Sequence, residues 1–194
     1  MITDEILVQR TCRGDETAFL LLYERYRTQI FRFAYRMLGS VELAEDITHD
    51  CFLSLIKRPG RFDPSRASLR TYLYAAARNL ALKNYRHNNN EVAFDNASDQ
   101  PHPQCIEGPL QQLIDEELSK EVRKAVAGLP PLQREALTLF EYEELTLAEI
   151  AVVVGADVGT IKSRIHRARA RLRSALEPHL KSNSGFAILK RYSA

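Results

Sequence analysis

The sequence predicts an all-α protein in which two small helical domains are joined by a flexible linker. Over most of the chain, apolar residues recur every three or four positions, which is typical of amphipathic helices. No stretch shows the two-residue alternation of a half-buried strand. Residues 88–109 are instead rich in Asn, Asp, Pro and Gly and have no sustained period. A loop of this length is uncommon inside one compact domain, so it favours two.

The charge distribution supports the same division. The 194 residues carry a net charge of +2, but residues 1–90 carry +4, residues 91–120 carry −6 and residues 121–194 carry +4. Two basic blocks therefore flank an acidic connector, an arrangement suited to contacting a polyanion at two places.

Three helices are predicted in the first block. Asp15 is placed to cap the first helix and Gly39 to end it. The second helix is predicted over residues 42–57 and the third over residues 68–87, with a Pro- and Gly-containing loop between them. The residues expected to face the core are Phe19, Leu22, Tyr26, Ile30, Phe33 and Met37, then Leu43, Ile47 and Cys51, then Leu69, Leu73, Ala76 and Leu80.

The second block ends in a predicted helix-turn-helix unit. Helices are expected over residues 113–127 and 132–142, separated by the sequence GLPP. Thr146 and Glu149 have the spacing of a capping box, which begins a third helix. Gly155 can end that helix in the left-handed conformation, and Asp157 can cap the next one. Two helices joined by a short glycine turn form the helix-turn-helix motif.

The last helix contains the most concentrated charge in the chain. GTIKSRIHRARARLR, residues 159–173, has six cations and no acidic residue. On a helical wheel Ile161, Ile165, Ala168 and Leu172 share one face, and Ser163, His166, Arg167 and Ala170 lie opposite. Cations flank that outer ridge: Lys162, Arg169 and Arg173 on one side, Arg164 and Arg171 on the other. Short side chains let a helix approach base edges, and flanking cations reach phosphates, so this face fits the major groove of DNA. The alternative is an ordinary solvated cationic face.

Two other helices carry outward faces with different chemistry. The helix over residues 42–57 is expected to present an acidic ridge, with Phe52 and Ile56 beside it. This ridge suggests a basic protein partner, and the alternative is an ordinary soluble face. Its members are Glu42, Glu45, Asp46, His49, Asp50 and Leu53. The helix over residues 68–87 aligns Tyr72, Asn79 and Arg86 near Lys83, and groups Tyr74, Arg78 and Tyr85 as a second outward set. Aromatic rings and cations suit unstacked bases, although these tyrosines could equally complete the core, and for Tyr74 the core is the favoured alternative.

Four segments resemble one protein family. They are AFLLLYERYRTQIFRFAYRML, AEDITHDCFLSLIK, FDPSRASLRTYLYAAARNLA and LPPLQREALTLFEYEELTLAEIAVVVGADVGTIKSRIHRARARL. Together they resemble bacterial RNA polymerase sigma factors of the extracytoplasmic-function type, group IV of the sigma-70 family. The resemblance covers about three-quarters of the chain and is most specific in the last segment.

The resemblance implies domains and roles. Residues 1–90 would form sigma region 2, 91–112 an acidic linker and 113–177 sigma region 4, followed by a tail of unknown role over 178–194, with Pro178 ending the last helix. Region 4 would read the −35 promoter element, and region 2, including the loop 61–68, would bind and open the −10 element. The residues implied for −35 contacts are Lys162, Ser163, Arg164, His166 and Arg167, and those for −10 contacts are Tyr72, Asn79, Lys83 and Arg86.

The implied protein partners are the β′ clamp helices and the β flap of core RNA polymerase, and an anti-sigma factor. The polymerase contacts would come from Glu45, Asp46, His49, Asp50 and Leu53. The chain departs from the family where His49-Asp50 replaces the usual Gln-Glu and Tyr72 replaces a frequent Trp.

Other function classes fit the sequence less well. A stand-alone helix-turn-helix regulator would use only the second block and leave the other two faces without a role. No nucleophile–base pair, phosphate-binding glycine loop or zinc-type spacing indicates an enzyme or a cofactor. A metal at HPQC (102–105) is disfavoured because His102 lies in the predicted flexible linker, and one at HDC (49–51) because His49 and Cys51 point to different helix faces. The three unevenly spaced cysteines and the absence of a secretory signal predict a cytoplasmic protein.

Overall fold

The computed structural model describes residues 2–58, 61–91 and 112–182, and within them the side chains of 86–91, 112–119 and 179–182 are outside the description. The first half contains four helices: α1 (Asp4–Cys12), α2 (Glu16–Leu38), α3 (Val41–Lys57) and α4 (Leu69–Glu91). The second half contains α5 (Gln112–Ala127), α6 (Pro131–Glu141), α7 (Leu147–Val154) and α8 (Val158–Ser182). The described residues contain no strand, so the predicted all-α class is confirmed.

The ends of α2 and α3 follow from local capping chemistry. The side chain of Asp15 accepts a hydrogen bond of 3.0 Å from the amide of Ala18, as predicted for the start of α2. Gly39 ends α2 with φ of 72°, a conformation that glycine adopts without steric cost. Ser40 then caps α3 through the amide of Leu43.

The core of the first half is built on α2, which packs against α1, α3 and α4. Leu22, Ile30 and Phe33 of α2 are fully buried. Helix α1 has no counterpart among the predicted helices, and it is held by burial of Leu7 and Val8.

One residue of α3 lies on a different face from the predicted one. Phe52 is only 1% exposed and does not flank the acidic ridge. Its ring contacts Tyr23 at a centroid distance of 4.9 Å and Phe19 at 6.3 Å. These two aromatic residues of α2 cover Phe52, which the helical wheel placed near solvent.

The helix-turn-helix unit forms as predicted. The Thr146 and Glu149 capping box starts α7, and Gly155 ends it with φ of 69°. The Asp157 carboxylate accepts a hydrogen bond of 2.8 Å from the amide of Thr160 at the start of α8. The prediction that Pro178 ends this helix is wrong, because α8 continues to Ser182. Pro178 is exposed, where water can satisfy the carbonyl that loses its amide partner.

The two halves pack against each other. Helix α4 contacts α7, and α2 contacts α5 and α6. Arg134 of α6 is buried and donates a hydrogen bond of 2.6 Å to the carbonyl of Met37 at the end of α2. Most of the predicted linker, residues 92–111, lies outside the described residues, as does the tail from residue 183 onward. In the described part of the chain, no helix is both long and apolar enough to span a bilayer.

Candidate nucleic-acid and polymerase interfaces

Helix α8 has the two-sided character predicted from its sequence. Its apolar side packs on α5, α6 and α7, and Ile161, Ile165, Ala168 and Leu172 are all buried. The opposite side is exposed along its length, including Lys162, Ser163, His166, Arg167 and Ala170. The exposed side of α8 therefore carries polar and basic side chains, while Arg169 beside it is bound to Glu141.

Two surface depressions lie along this ridge. The larger, of about 560 Å³, runs between the start of α6 and the start of α8 and is lined by Leu132, Ser163, Arg164 and Arg167, among others. The smaller, of about 300 Å³, is lined by Lys162, Ser163, His166 and Arg167. Ser163 and Arg167 line both, so they form the centre of the surface.

Side-chain capping groups fix where α7 and α8 begin. The Glu149 carboxylate accepts a hydrogen bond of 2.8 Å from the Thr146 amide, and hydrogen bonds from Thr146 hold the pKa of Glu149 below its usual value. Thr160 in the same way lowers the pKa of Asp157 through its hydroxyl and its amide. Both carboxylates are therefore ionised at neutral pH and stabilise the helix N-termini.

Arg164 differs from the other predicted −35 residues because its guanidinium is held inside the protein. Its Nη1 lies 3.2 Å from Oε1 of Glu135, whose side chain is completely buried. The same carboxylate binds Arg78 of α4, with an Nε–Oε2 distance of 2.8 Å. Arg164 is only 20% exposed, so in this arrangement it positions α8.

The acidic ridge on α3 is exposed as predicted. Glu45, Asp46, His49 and Asp50 are exposed, Leu53 is half-buried, and Ile56 is 37% exposed. The buried residues Ala44, Ile47 and Cys51 anchor the opposite side of the helix. The result is a negatively charged surface with apolar atoms at its C-terminal end.

The residues of α4 predicted to contact the −10 element are partly exposed to solvent. Asn79 and Lys83 are exposed, and Tyr72 is half-buried, with its ring 5.5 Å from the ring of Phe62 in an edge-to-face contact. Arg86 lies within α4, but its side chain is outside the described residues. In the adjoining loop Asp63 accepts hydrogen bonds from the amide and the hydroxyl of Ser65.

The second outward group predicted on α4 is not exposed, and the alternative that Tyr74 completes the core is confirmed. Tyr74 is fully buried and donates a hydrogen bond of 2.6 Å to Oε2 of Glu143. Arg78 is 17% exposed and is bound to Glu135, and Tyr85 is half-buried. The Tyr74 ring packs against Phe33 in the core of the first half, with a centroid distance of 5.6 Å, and the second half covers its hydroxyl and Arg78.

Glu143 and its partners escape sequence-based prediction. It lies between α6 and α7, is 6% exposed, and binds Nη1 of Arg36 at 2.9 Å. Arg70 donates to its backbone carbonyl. The only signal in the sequence is an acidic stretch, EYEEL, in a loop where exposed acids are ordinary.

The described residues contain no group of three or more His, Cys, Asp or Glu side chains placed to hold a metal ion. Cys12 is exposed, and burial raises the pKa of Cys51 to about 12. The HPQC sequence lies outside the described residues.

Comparisons with known proteins identify the family of this chain. The family model described as Sigma-70 region 2 matches residues 22–91, and that described as Sigma-70, region 4, matches residues 119–172. The chain is 34% identical over 186 residues to RNA polymerase sigma-H factor of Pseudomonas aeruginosa, and the alignment covers 92% of this chain and 96% of that protein. It is 32% identical over 177 residues to the ECF RNA polymerase sigma factor SigW of Bacillus subtilis, which covers 87% of this chain and 94% of that protein.

Two solved structures are similar in fold. One is the sigma factor RpoE in complex with the anti-sigma factor NepR from Bartonella quintana, with a TM-score of 0.64 and 27% identity over 84% of this chain and 97% of that chain. The other is CnrH in complex with the cytosolic domain of CnrY, with a TM-score of 0.67 at 24% identity over 90% of this chain and 97% of that chain. The chain belongs to the extracytoplasmic-function group of sigma-70 factors, the non-enzymatic subunits that direct RNA polymerase to promoters.

Proposed function

We propose that this sigma factor uses three separate faces for three tasks: α8 reads the −35 element, α4 captures bases of the −10 element, and α3 binds core RNA polymerase. The observation that supports this division is the difference in chemistry between the exposed faces. Cations and small polar groups line α8, an amide and a lysine lie beside a tyrosine on α4, and carboxylates line α3.

The −35 task falls to the ridge centred on Ser163 and Arg167. Arg167 and His166 face base edges, and Lys162 reaches a phosphate from the shoulder. An arginine binds guanine through two parallel hydrogen bonds, which gives sequence discrimination. Arg164 stays on Glu135 and sets the angle of α8, so its contribution to DNA binding is mainly indirect.

The −10 task falls to Tyr72, Asn79, Lys83 and Arg86. A base freed from the duplex can stack on the Tyr72 ring, whose orientation is fixed by Phe62. The Asn79 amide can donate and accept hydrogen bonds at a base edge, and the Lys83 ammonium attracts the phosphate backbone of the DNA. Stacking offsets the cost of unstacking, which is a few kcal/mol for each base.

The polymerase task falls to Glu45, Asp46, His49, Asp50 and Leu53. The carboxylates are exposed and act by charge complementarity with the basic clamp helices of the β′ subunit, and Leu53 and Ile56 supply apolar contact area. Region 4 contacts the β flap. The protein acts where RNA polymerase does, in the cytoplasm.

We also propose control by an anti-sigma factor. The RpoE and CnrH structures were solved in complex with NepR and with CnrY, and both resemble this chain in fold. A stand-alone regulator is the competing function, and the match of residues 22–91 to sigma region 2 disfavours it.

One experiment separates the two functions. Purified protein is mixed with core RNA polymerase, passed through a size-exclusion column, and assayed for run-off transcription. Co-elution and promoter-dependent transcripts are expected. Duplex DNA binding without co-elution would favour the stand-alone regulator.

A further inference from the structure

One cation on the shoulder of α8 is neutralised by a carboxylate of α6. The guanidinium of Arg169 donates two hydrogen bonds to Oε1 of Glu141, from Nη2 at 2.6 Å and from Nε at 3.1 Å. Its Cζ atom also lies 5.6 Å from the centre of the Phe140 ring. The side chains of Arg169 and Glu141 are 26% and 17% exposed, so the pair lies at the edge of the basic surface of α8.

Arg169 lies in line with the residue proposed to contact the DNA backbone. Lys162 and Arg169 are seven residues apart, which is about two helical turns, so they lie on one line of α8 about 10 Å apart. Lys162 is exposed. An unpaired arginine at position 169 would add a second cation to this line, beside the same sugar-phosphate backbone. The pairing with Glu141 therefore removes one member from the line of cations.

The second paired cation of α8 is held in a different way. Arg164, on the other shoulder, binds Glu135 of α6, whose side chain is completely buried. Loss of that carboxylate would leave buried arginines without a partner, so the Glu135 pair stabilises the fold. Glu141 is partly exposed, so its charge can be removed while water still reaches Arg169.

A neutral pair contributes little to the attraction between α8 and DNA. Each cation that contacts a phosphate releases counterions, and log affinity falls with log salt concentration by about 0.9 per contact. If Arg169 moved to a phosphate, the Glu141 carboxylate would lose its partner beside the same negatively charged backbone. The attraction of the arginine and the repulsion of the carboxylate would then oppose each other. The pair therefore adds no net phosphate contact to α8.

We propose that Glu141 limits the sequence-independent affinity of α8 for DNA by neutralising Arg169. Phosphate contacts strengthen binding to every DNA sequence, whereas base contacts discriminate between sequences. With one phosphate contact fewer, a larger share of the binding free energy comes from the base contacts of the ridge. The protein is then held less strongly on the many non-promoter sites of a genome. This inference rests on the proposed reading of the −35 element by α8.

The first test compares the wild type with Glu141→Gln on a DNA duplex of random sequence. The substitution keeps the length of the side chain and removes its negative charge, so the positive charge of Arg169 is no longer neutralised. We expect about eightfold tighter binding at about 0.1 M salt, because one added contact changes affinity with roughly the 0.9 power of salt concentration. The slope of log affinity against log salt should become steeper by about 0.9. Fluorescence anisotropy of the whole chain measures both quantities.

A double variant separates neutralisation from direct contact. Glu141→Gln combined with Arg169→Ala removes both charges, so its net charge equals that of the wild type. We expect it to bind the random duplex with the affinity and the salt slope of the wild type. Glu144→Gln is the matched control, because Glu144 is also exposed and lies three residues from Glu141. Its loss of one negative charge should leave DNA affinity unchanged.

Three results would overturn the role of Glu141. The first is a Glu141→Gln variant that binds DNA no more tightly than the wild type, even if its thermal unfolding midpoint falls, because the pair would then only join α6 to α8. The second is an equal gain in Glu144→Gln, which would reflect net charge alone. The third is a double variant with weaker binding and a shallower salt slope than the wild type, which would make Arg169 a phosphate contact in its paired state.

Lys162→Ala shows whether α8 contacts DNA at all, so the two proposals fail in different ways. If Lys162→Ala weakens binding to the random duplex but Glu141→Gln leaves it unchanged, only the role of Glu141 is wrong. If Lys162→Ala also binds as tightly as the wild type, the proposed DNA-binding face of α8 is wrong.

Discussion

The hydroxyl of Tyr74 donates a hydrogen bond to the carboxylate of Glu143 across 69 positions of sequence. It joins a helix of sigma region 2 to a loop of sigma region 4, and both side chains are buried. Burial of the ring and the hydrogen bond to the carboxylate together raise the pKa of Tyr74. The phenol therefore remains a hydrogen-bond donor throughout the neutral range.

Glu135 is expected to be the most sensitive polar position for stability. Glu135→Ala removes the carboxylate that binds Arg78 and Arg164, and each of these arginines is at most 20% exposed. We expect the free energy of unfolding to fall by about 3 kcal/mol, the usual cost of breaking a buried pair. Urea unfolding followed by circular dichroism measures this. As a control, Glu24→Ala at an exposed position of α2 should change the free energy of unfolding by no more than about 0.5 kcal/mol. Equal effects of the two variants would refute the claim that Glu135 stabilises the fold through its two arginines.

The capping box of α7 gives a prediction with a pH dependence. Thr146→Ala removes the hydroxyl that binds the amide and carboxylate of Glu149, and should cost about 1 kcal/mol at pH 7. The folded-state pKa of Glu149 is below its ordinary value of 4.5, so its contribution is present above pH 4.5 and is lost as the pH falls through the folded-state pKa. The stability gap between wild type and variant should therefore shrink in acid. A gap that is constant or grows on acidification would contradict the capping account.

The ridge on α8 predicts two kinds of binding defect. Arg167→Ala should weaken holoenzyme binding to promoter DNA by about 1–3 kcal/mol and relax sequence preference in the −35 element. Lys162→Ala should weaken binding to all sequences alike and reduce the slope of log affinity against log salt by about 1. Fluorescence anisotropy over a salt series measures both.

A control distinguishes these contacts from a general loss of charge. Lys124→Ala removes one exposed cation from α5 in the same half of the chain. The holoenzyme with this variant should match the wild type in its affinity for promoter DNA and in the salt dependence of that affinity. If Arg167→Ala, Lys162→Ala and Lys124→Ala behaved alike, α8 would have no special role in DNA binding.

The acidic ridge on α3 predicts a defect in polymerase binding without loss of fold. Asp46→Lys reverses the charge of an exposed residue and should lower affinity for core polymerase at least about tenfold, or about 1.4 kcal/mol. The thermal unfolding midpoint should stay the same. Glu24→Lys makes the same charge change on α2 and should retain polymerase affinity. Normal binding by Asp46→Lys would remove α3 from the polymerase interface.

The helices and the exposed basic face of α8 were accessible from sequence because their signals are local. The caps at Asp15, Thr146 and Asp157 depend on neighbours three residues away. The buried side of α8 follows from the period of its apolar residues.

The contacts between the halves were not accessible in the same way. A helical wheel places Tyr74 and Arg78 on the outward side of α4, but it cannot show that a segment about 60 residues later covers them or that the Tyr74 ring packs against Phe33. Phe52 was misplaced for a related reason, since Phe19 and Tyr23 of another helix bury its edge. Contacts across long sequence separations require the fold.

Transcription by core polymerase and this protein on a library of randomised promoters, with sequencing of the transcribed templates, tests the central claim most directly. If α4 and α8 read one promoter together, the selected templates will share two sequence blocks at a fixed spacing, and Arg167→Ala will erase only the upstream block. Templates with a single block, or transcription that does not depend on the added protein, would contradict the account.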